Sequence, residues 1–197
     1  MSSNKIIEMM EEIEQLKMKL KKEIDARESG IAYEIRKGKV RFSNEILANH
    51  KDKVTHFFNY IKEAPFLHII SAPIVYMMII PAVILDLMLF VYVEVIFRIY
   101  KFPRIKRSDY IVFDRHYLRY LNFIERLNCV YCSYFNGLIN YTAAIAARSE
   151  LYFCPIKHAK KIAYTHEYYY DFLPYANAKS YHDKLKNCQK KAQTKKP

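Results

Sequence analysis

Residues 64–85 read APFLHIISAPIVYMMIIPAVIL, 22 positions without a formal charge. A helix of roughly 20 apolar residues crosses a hydrocarbon core about 30 Å thick, so this stretch decides the fold class: a membrane-associated, mostly α chain. Apolar character continues past Asp86 through LMLFVYVEVIF to Phe97, a run of 34 residues. As one helix that run would measure about 51 Å at 1.5 Å per residue, too long for a single untilted crossing. Pro73 and Pro81 lie inside it, and Asp86 and Glu94 lie in its second half. Two arrangements fit. One is a kinked transmembrane helix that crosses over 66–85 and continues as an interfacial helix. The other is a membrane hairpin, bent near Pro81 and Asp86, that returns to its starting side.

The flanks of the run are basic. Lys51, Lys53 and Lys62 precede it, and Arg98, Lys101, Arg104, Lys106 and Arg107 follow it. Cations on both sides favour the hairpin, and the denser second cluster assigns the C-terminal half to the cytoplasmic side of the membrane. A charge at the bilayer centre costs about 2.5–3.5 kcal/mol. Asp86 and Glu94 are therefore expected to face headgroups or protein, with Glu94 paired to Arg98 one helical turn on. His68 is read as interfacial.

The formal charge of +12 calls for an anionic partner. Nucleic acid and an acidic lipid leaflet are the two general candidates; the leaflet is preferred and nucleic acid is not. With 197 residues the chain is one domain's worth, and only 3 glycines beside 18 tyrosines and 12 phenylalanines point to helices with bulky faces. The chain opens without the pattern of a secretory signal.

Before the apolar run, residues 5–29 space Ile6, Met9, Ile13, Leu16 and Leu20 at threes and fours. This predicts an amphipathic helix that either packs on its own chain or self-associates. Tyr33 to Phe42 reads as a small hairpin about Lys37-Gly38 or as a helix broken at Gly38. Ser43 is placed to cap a helix ending near Glu63, before Pro65. These segments make an N-terminal region over 1–63, followed by a membrane-embedded segment over 64–102. A helical Cys/His region is expected over 103–175, opened by a helix capped at Ser108 or Asp109, and a basic tail over 176–197, disordered in its last dozen residues, that exposes Cys188.

Chemistry is concentrated between Cys129 and His158. Cys129-x2-Cys132 is followed after 21 residues by Cys154-x3-His158. Ligands at i, i+3 and at i, i+4 share a helical face, so two such pairs can close a Cys3His tetrahedron for Zn²⁺, with iron or an iron–sulfur cluster as an alternative. Around it, Arg148 and Glu150 are candidate supporting residues, Glu150 as the partner of the His158 ring. Asp114 and His116 are candidates for acid–base work. A thiol-redox reading has its own support, because Pro155 suits the first turn of a helix and would leave Cys154 at the N-cap, where a thiolate is favoured. A third reading makes the cysteines small buried hydrophobes. Between the pairs, Leu127 to Ala147 is uncharged but carries Asn128, Asn136 and Asn140, which suits a helix packed against the membrane segment. No Walker, Rossmann or nucleophile-elbow pattern occurs.

SDYIVFDRHYLRYLN, IERLNCVYCSYFNGL and IAARSELYFCPIKHA resemble a family of small bacterial membrane proteins in which NCxYCxYxNGL and EIAARTExYWCPIKHA blocks recur. The resemblance covers about residues 64–160 and implies a bacterial inner-membrane location, but it lends no activity. The acid that precedes IAAR in that family is Ala144 here. The expectation is a membrane-anchored metal-site protein of structural or scaffold role, the alternative a membrane-associated thiol-redox or metal-dependent enzyme.

Overall fold

In the computed structural model, the residues described are 2–28, 33–36, 39–42, 62 and 65–194. The chain forms two compact units, Met1–Val54 with Tyr117–Tyr120, and Thr55–His116 with Leu121–Pro197. The segments expected at 64–102, 103–175 and 176–197 lie in the second unit apart from Tyr117–Tyr120.

In the first unit, helix α1 spans Ser2–Glu28. Met9, Ile13, Leu16 and Leu20 are all at least half exposed. Strands β1 (Tyr33–Arg36) and β2 (Lys39–Phe42) pair antiparallel with Tyr33 opposite Phe42 and Arg36 opposite Lys39. The hairpin reading of this segment is the correct one. The helix expected from Ser43 to Glu63 lies outside the described residues.

The second unit is built on one long rod: α2 (Phe66–Met77), α3 (Ile79–Tyr92) and a wider π turn (Val93–Phe97). The expected membrane hairpin is not formed. Pro81 is the third residue of α3, within the first turn, where its missing N–H leaves no hydrogen bond unmade. Pro73 lies inside α2 and does not end it. The rod ends in a Schellman motif: Phe102 N–H donates to the Phe97 carbonyl at 2.8 Å and Lys101 N–H to that of Arg98 at 3.3 Å. The rings of Phe97 and Phe102 close the motif 5.2 Å apart. Lys101 occupies its left-handed position with φ 57°, where a Cβ costs roughly 1–2 kcal/mol and glycine is usual.

Helix α4 (Phe123–Phe153) begins with a capping box, in which Glu125 N–H donates to the Asn122 side chain and Asn122 N–H to the Glu125 carboxylate. That signal defeats the helix expected from Ser108 or Asp109, where only a 3-10 turn forms over Arg107–Asp109. Along the rod and α4, Tyr76 meets Asn128, Asp86 meets Tyr134, Tyr92 meets Ser149 and Tyr100 meets Tyr152. Partners rise together in number, so the two helices are parallel. The chain must therefore travel back along the pair between Tyr100 and Phe123. Residues 103–116 are this strap, and they cross α4 at Gly137. Ile105 and Ile111 anchor the strap in the core, which also holds Val93, Phe97, Leu138, Tyr141 and Ile145.

The tail is not disordered. Tyr181–Thr194 forms α5, which packs on α4 and buries Cys188 and Ala192, four residues apart on one face. Cys188 is thus a core residue and not an exposed bystander. Gln193 also donates to the Tyr100 carbonyl at the end of the rod at 3.0 Å.

A Cβ built on Gly137 would lie 2.6 Å from the Tyr110 carbonyl oxygen and 2.9 Å from the Ile111 Cα, both backbone atoms of the strap. Gly137→Ala is expected to destabilise the protein by about 1–3 kcal/mol, the usual cost of overpacking. A thermal melt against wild type measures it, and an unchanged midpoint would disprove the crossing.

Candidate membrane-contact site and the cysteine region

The cysteine pairs sit at opposite ends of α4. Cys129 and Cys132 share a face near its start, whereas Cys154 is its C-cap. An unbroken helix between Cys132 and Cys154 separates the pairs by about 33 Å at 1.5 Å per residue, and one tetrahedral ion needs its sulfurs within about 4 Å of each other. The four expected ligands therefore do not meet in this chain, and among the described residues no three His, Cys, Asp or Glu side chains converge to hold a metal. The spacing suited two helical pairs on a bent chain; a continuous helix keeps them apart.

The residues after α4 differ from expectation as well. Pro155 is buried and starts no helix. Ile156 forms a parallel bridge with Leu173, and Lys157 N–H donates to the Leu173 carbonyl at 2.8 Å. Cys154 consequently lies at the carbonyl end of α4, without the positive helix end that the redox reading required. The His158 ring stacks on Tyr169 at 6.3 Å, and the His158 N–H donates to the Tyr169 hydroxyl.

Glu150 does hold a histidine, but it is His166, at 2.8 Å. The other ring nitrogen, Nδ1, accepts the Tyr168 N–H at 3.2 Å, so the neutral ring carries its proton on Nε2, facing the carboxylate. Both ring nitrogens are occupied by the fold, and the pair pins the 158–172 loop to α4. Arg148 is 1% exposed. It donates to the Ala192 carbonyl near the end of α5 at 3.1 Å and lies 5.4 Å from the Tyr168 ring centre, so it clamps α5 to α4. Tyr168 is buried beside it, and that burial pushes its hydroxyl pKa well up. Asp114 is exposed in the strap and His116 lies in the 3-10 turn Arg115–Tyr117.

A second polar array joins the strap to the rod. Asp86 accepts two hydrogen bonds from Arg107, at 3.0 and 2.6 Å, and one from the Tyr134 hydroxyl at 3.0 Å. Glu94 is held by Arg98, as expected, and also by Arg104. Tyr131 donates to the Val75 carbonyl at 2.8 Å, and Tyr76 to Asn128. Every acid and most hydrogen-bonding side chains of the rod are thus turned toward α4 or the strap. The outward face is apolar and open: Phe66 and Leu67 are about three-quarters exposed, and Ile70, Ile74, Met77, Ile84, Leu87, Met88 and Val91 more than half or close to it. The rod is long and apolar enough to cross a membrane.

Comparison with known proteins found no matching family model, curated protein or solved structure.

All four cysteines are free, Cys132 and Cys154 exposed, Cys129 half-buried and Cys188 buried, with burial raising the Cys188 thiol pKa. A maleimide is expected to modify Cys132 and Cys154 first, Cys129 more slowly and Cys188 only on unfolding. Mass spectrometry of peptides over time reads the order. Joint protection of Cys129, Cys132 and Cys154 would contradict the separation of the pairs.

Proposed function

We propose that this chain attaches to the surface of an anionic membrane leaflet through the outward face of the rod and holds the α4–α5 module at the headgroups, in a scaffold role. The observation that carries the reading is the division of the rod: both acids are paired on its protein side, and its lipid side bears no charge. Burying that apolar face in acyl chains offsets its exposure to water at about 25 cal/mol per Å². The net charge of +12 adds attraction to acidic lipid.

Length alone would also suit a crossing, but the neighbours of the rod favour attachment along the leaflet. Tyr76 bonds to Asn128, which sets the exposed Arg126 close to the level of Ile74, and the strap's cations stand at Asp86 and Glu94. From residue 74 to residue 86 the rod rises about 18 Å, short of a core about 30 Å thick. Perpendicular insertion would draw one of these charge levels into hydrocarbon, whereas lying along the leaflet leaves both among headgroups. The cation density supports a cytoplasmic face, as do the free cysteines. The resemblance of residues 64–160 to small bacterial membrane proteins supports an inner membrane. A four-ligand metal centre is not part of this reading.

Flotation with vesicles tests the attachment. Met88→Glu on the open face is expected to lower partitioning roughly tenfold or more, and the same added charge at the exposed Ala159 to have a smaller effect. Orientation is tested in intact spheroplasts with a cysteine-free background carrying Lys62→Cys or Ser108→Cys. Equal access of both to an impermeant maleimide is expected, and opposite access would establish a crossing instead.

A further inference from the structure

The strap and the end of the rod enclose two adjoining cavities, of about 260 Å³ and 210 Å³. They share Val93, Glu94 and Arg104 in their walls, so they form one groove. Its floor is apolar, with Val93, Phe97 and Ile105 buried beneath it and Phe90 at its open edge. Five cations line it, Arg98, Lys101, Arg104, Lys106 and Arg107, against the two acids Asp86 and Glu94, a net charge of +3 from five minus two. The arginines are spoken for: Arg107 holds Asp86, and Arg98 and Arg104 hold Glu94. Lys101 and Lys106 are exposed and make no ion pair among the described residues. At the Lys101 end the lining is Arg98, Lys101 and Arg104 against Glu94 alone, so the positive excess is greatest there.

Lys101 stands where glycine would be unstrained, and its side chain makes no ion pair among the described residues. A residue kept in a costly conformation next to an open cationic groove is a pointer to function. A phosphodiester fits this chemistry, because lysine binds phosphate as a point charge and Arg98 and Arg104 can share their remaining donors with its oxygens. The apolar floor and the bare face of the rod beside it suit acyl chains, which a free phosphate does not have. We propose that this groove is a binding site for the phosphodiester headgroup of an anionic membrane lipid, seated at Lys101 with its tails against the outward face of the rod. The proposal rests on membrane attachment by that face and adds a headgroup selectivity that attachment alone does not require.

The test uses the full chain and native mass spectrometry from mixed phosphatidylcholine–phosphatidylglycerol nanodiscs, counting retained lipids of each type. Lys101→Asn with Lys106→Asn removes two charges from the groove, and asparagine tolerates the left-handed backbone at 101. Lys160→Gln with Lys161→Gln removes two charges from an exposed segment elsewhere. General surface attraction, about 1 kcal/mol per cation, weakens both pairs alike. The groove predicts at least a tenfold greater loss of phosphatidylglycerol preference in the 101/106 variant than in the 160/161 variant. Equal losses would overturn it, as would displacement of the lipid by inorganic phosphate at matched ionic strength. Failure of wild type and of every variant to associate with mixed phosphatidylcholine–phosphatidylglycerol vesicles would instead strike the attachment reading, so the two failures are separable.

Discussion

The architecture depends on the absence of a side chain at Gly137. Two helices in consecutive order are most simply antiparallel, joined by a short turn. Here the rod and α4 run parallel, so the chain has to return along them, and it needs a place to cross. With Tyr110 and Ile111 backbone atoms under 3 Å from where a Cβ would stand, only glycine admits the crossing. Once the strap lies there, Ile105 and Ile111 are buried under it, and Arg107 is delivered to Asp86.

That delivery changes what the acids of the apolar run mean. An unpaired carboxylate on such a helix would be expensive in any low-dielectric setting. Asp86 is bound by a guanidinium fork and a tyrosine hydroxyl, and Glu94 by two guanidiniums. The charged side of the rod is satisfied by protein, which frees the opposite side to carry no formal charge. At the other end of the unit Arg148 acts similarly, as a buried cation that donates to the Ala192 carbonyl of α5. Carbonyls near a helix C-terminus lack intrahelical donors and sit at the negative end of the dipole, so a buried arginine is tolerated there.

What could be read from the sequence was local and periodic. The run from Phe66 to Phe97, the α1 seam and the alternating Tyr33–Phe42 segment each announce themselves within a dozen residues. The pairing of Glu94 with Arg98 was legible because it is an i, i+4 contact. What was not legible depended on long-range geometry. Arg107 reaches Asp86 across 21 positions and His166 reaches Glu150 across 16, distances at which spacing carries no phase information. The metal site failed for a related reason. Cys129 and Cys132 do share a helical face, but Cys154 and His158 lie past the end of the helix in non-helical chain, and joining the pairs required a bend that the 21 intervening residues do not make. Those residues carry their small and apolar positions in phase on one helix, and the capping box at Asn122 starts it. The tail was misread because lysines dominate its composition. Cys188 and Ala192 are small enough to let α5 approach α4 closely, and lysine stems on either side tolerate the seam.

The division of labour among the cations follows from their chemistry. Arginine's planar fork suits a fixed carboxylate, and Arg98, Arg104 and Arg107 are the ones tied to Asp86 and Glu94. Lysine is a strongly hydrated point charge on a flexible stem, poor at rigid pairing and well suited to a mobile phosphate. Lys101, at the end of the rod, and Lys106, in the strap, make no ion pair among the described residues. Exchanging the roles would cost on both counts, since lysines at Asp86 would lose the bidentate contact that fixes the strap. Arginine-for-structure and lysine-for-surface is therefore the arrangement expected of a strap that must hold a helix on one side and face headgroups on the other.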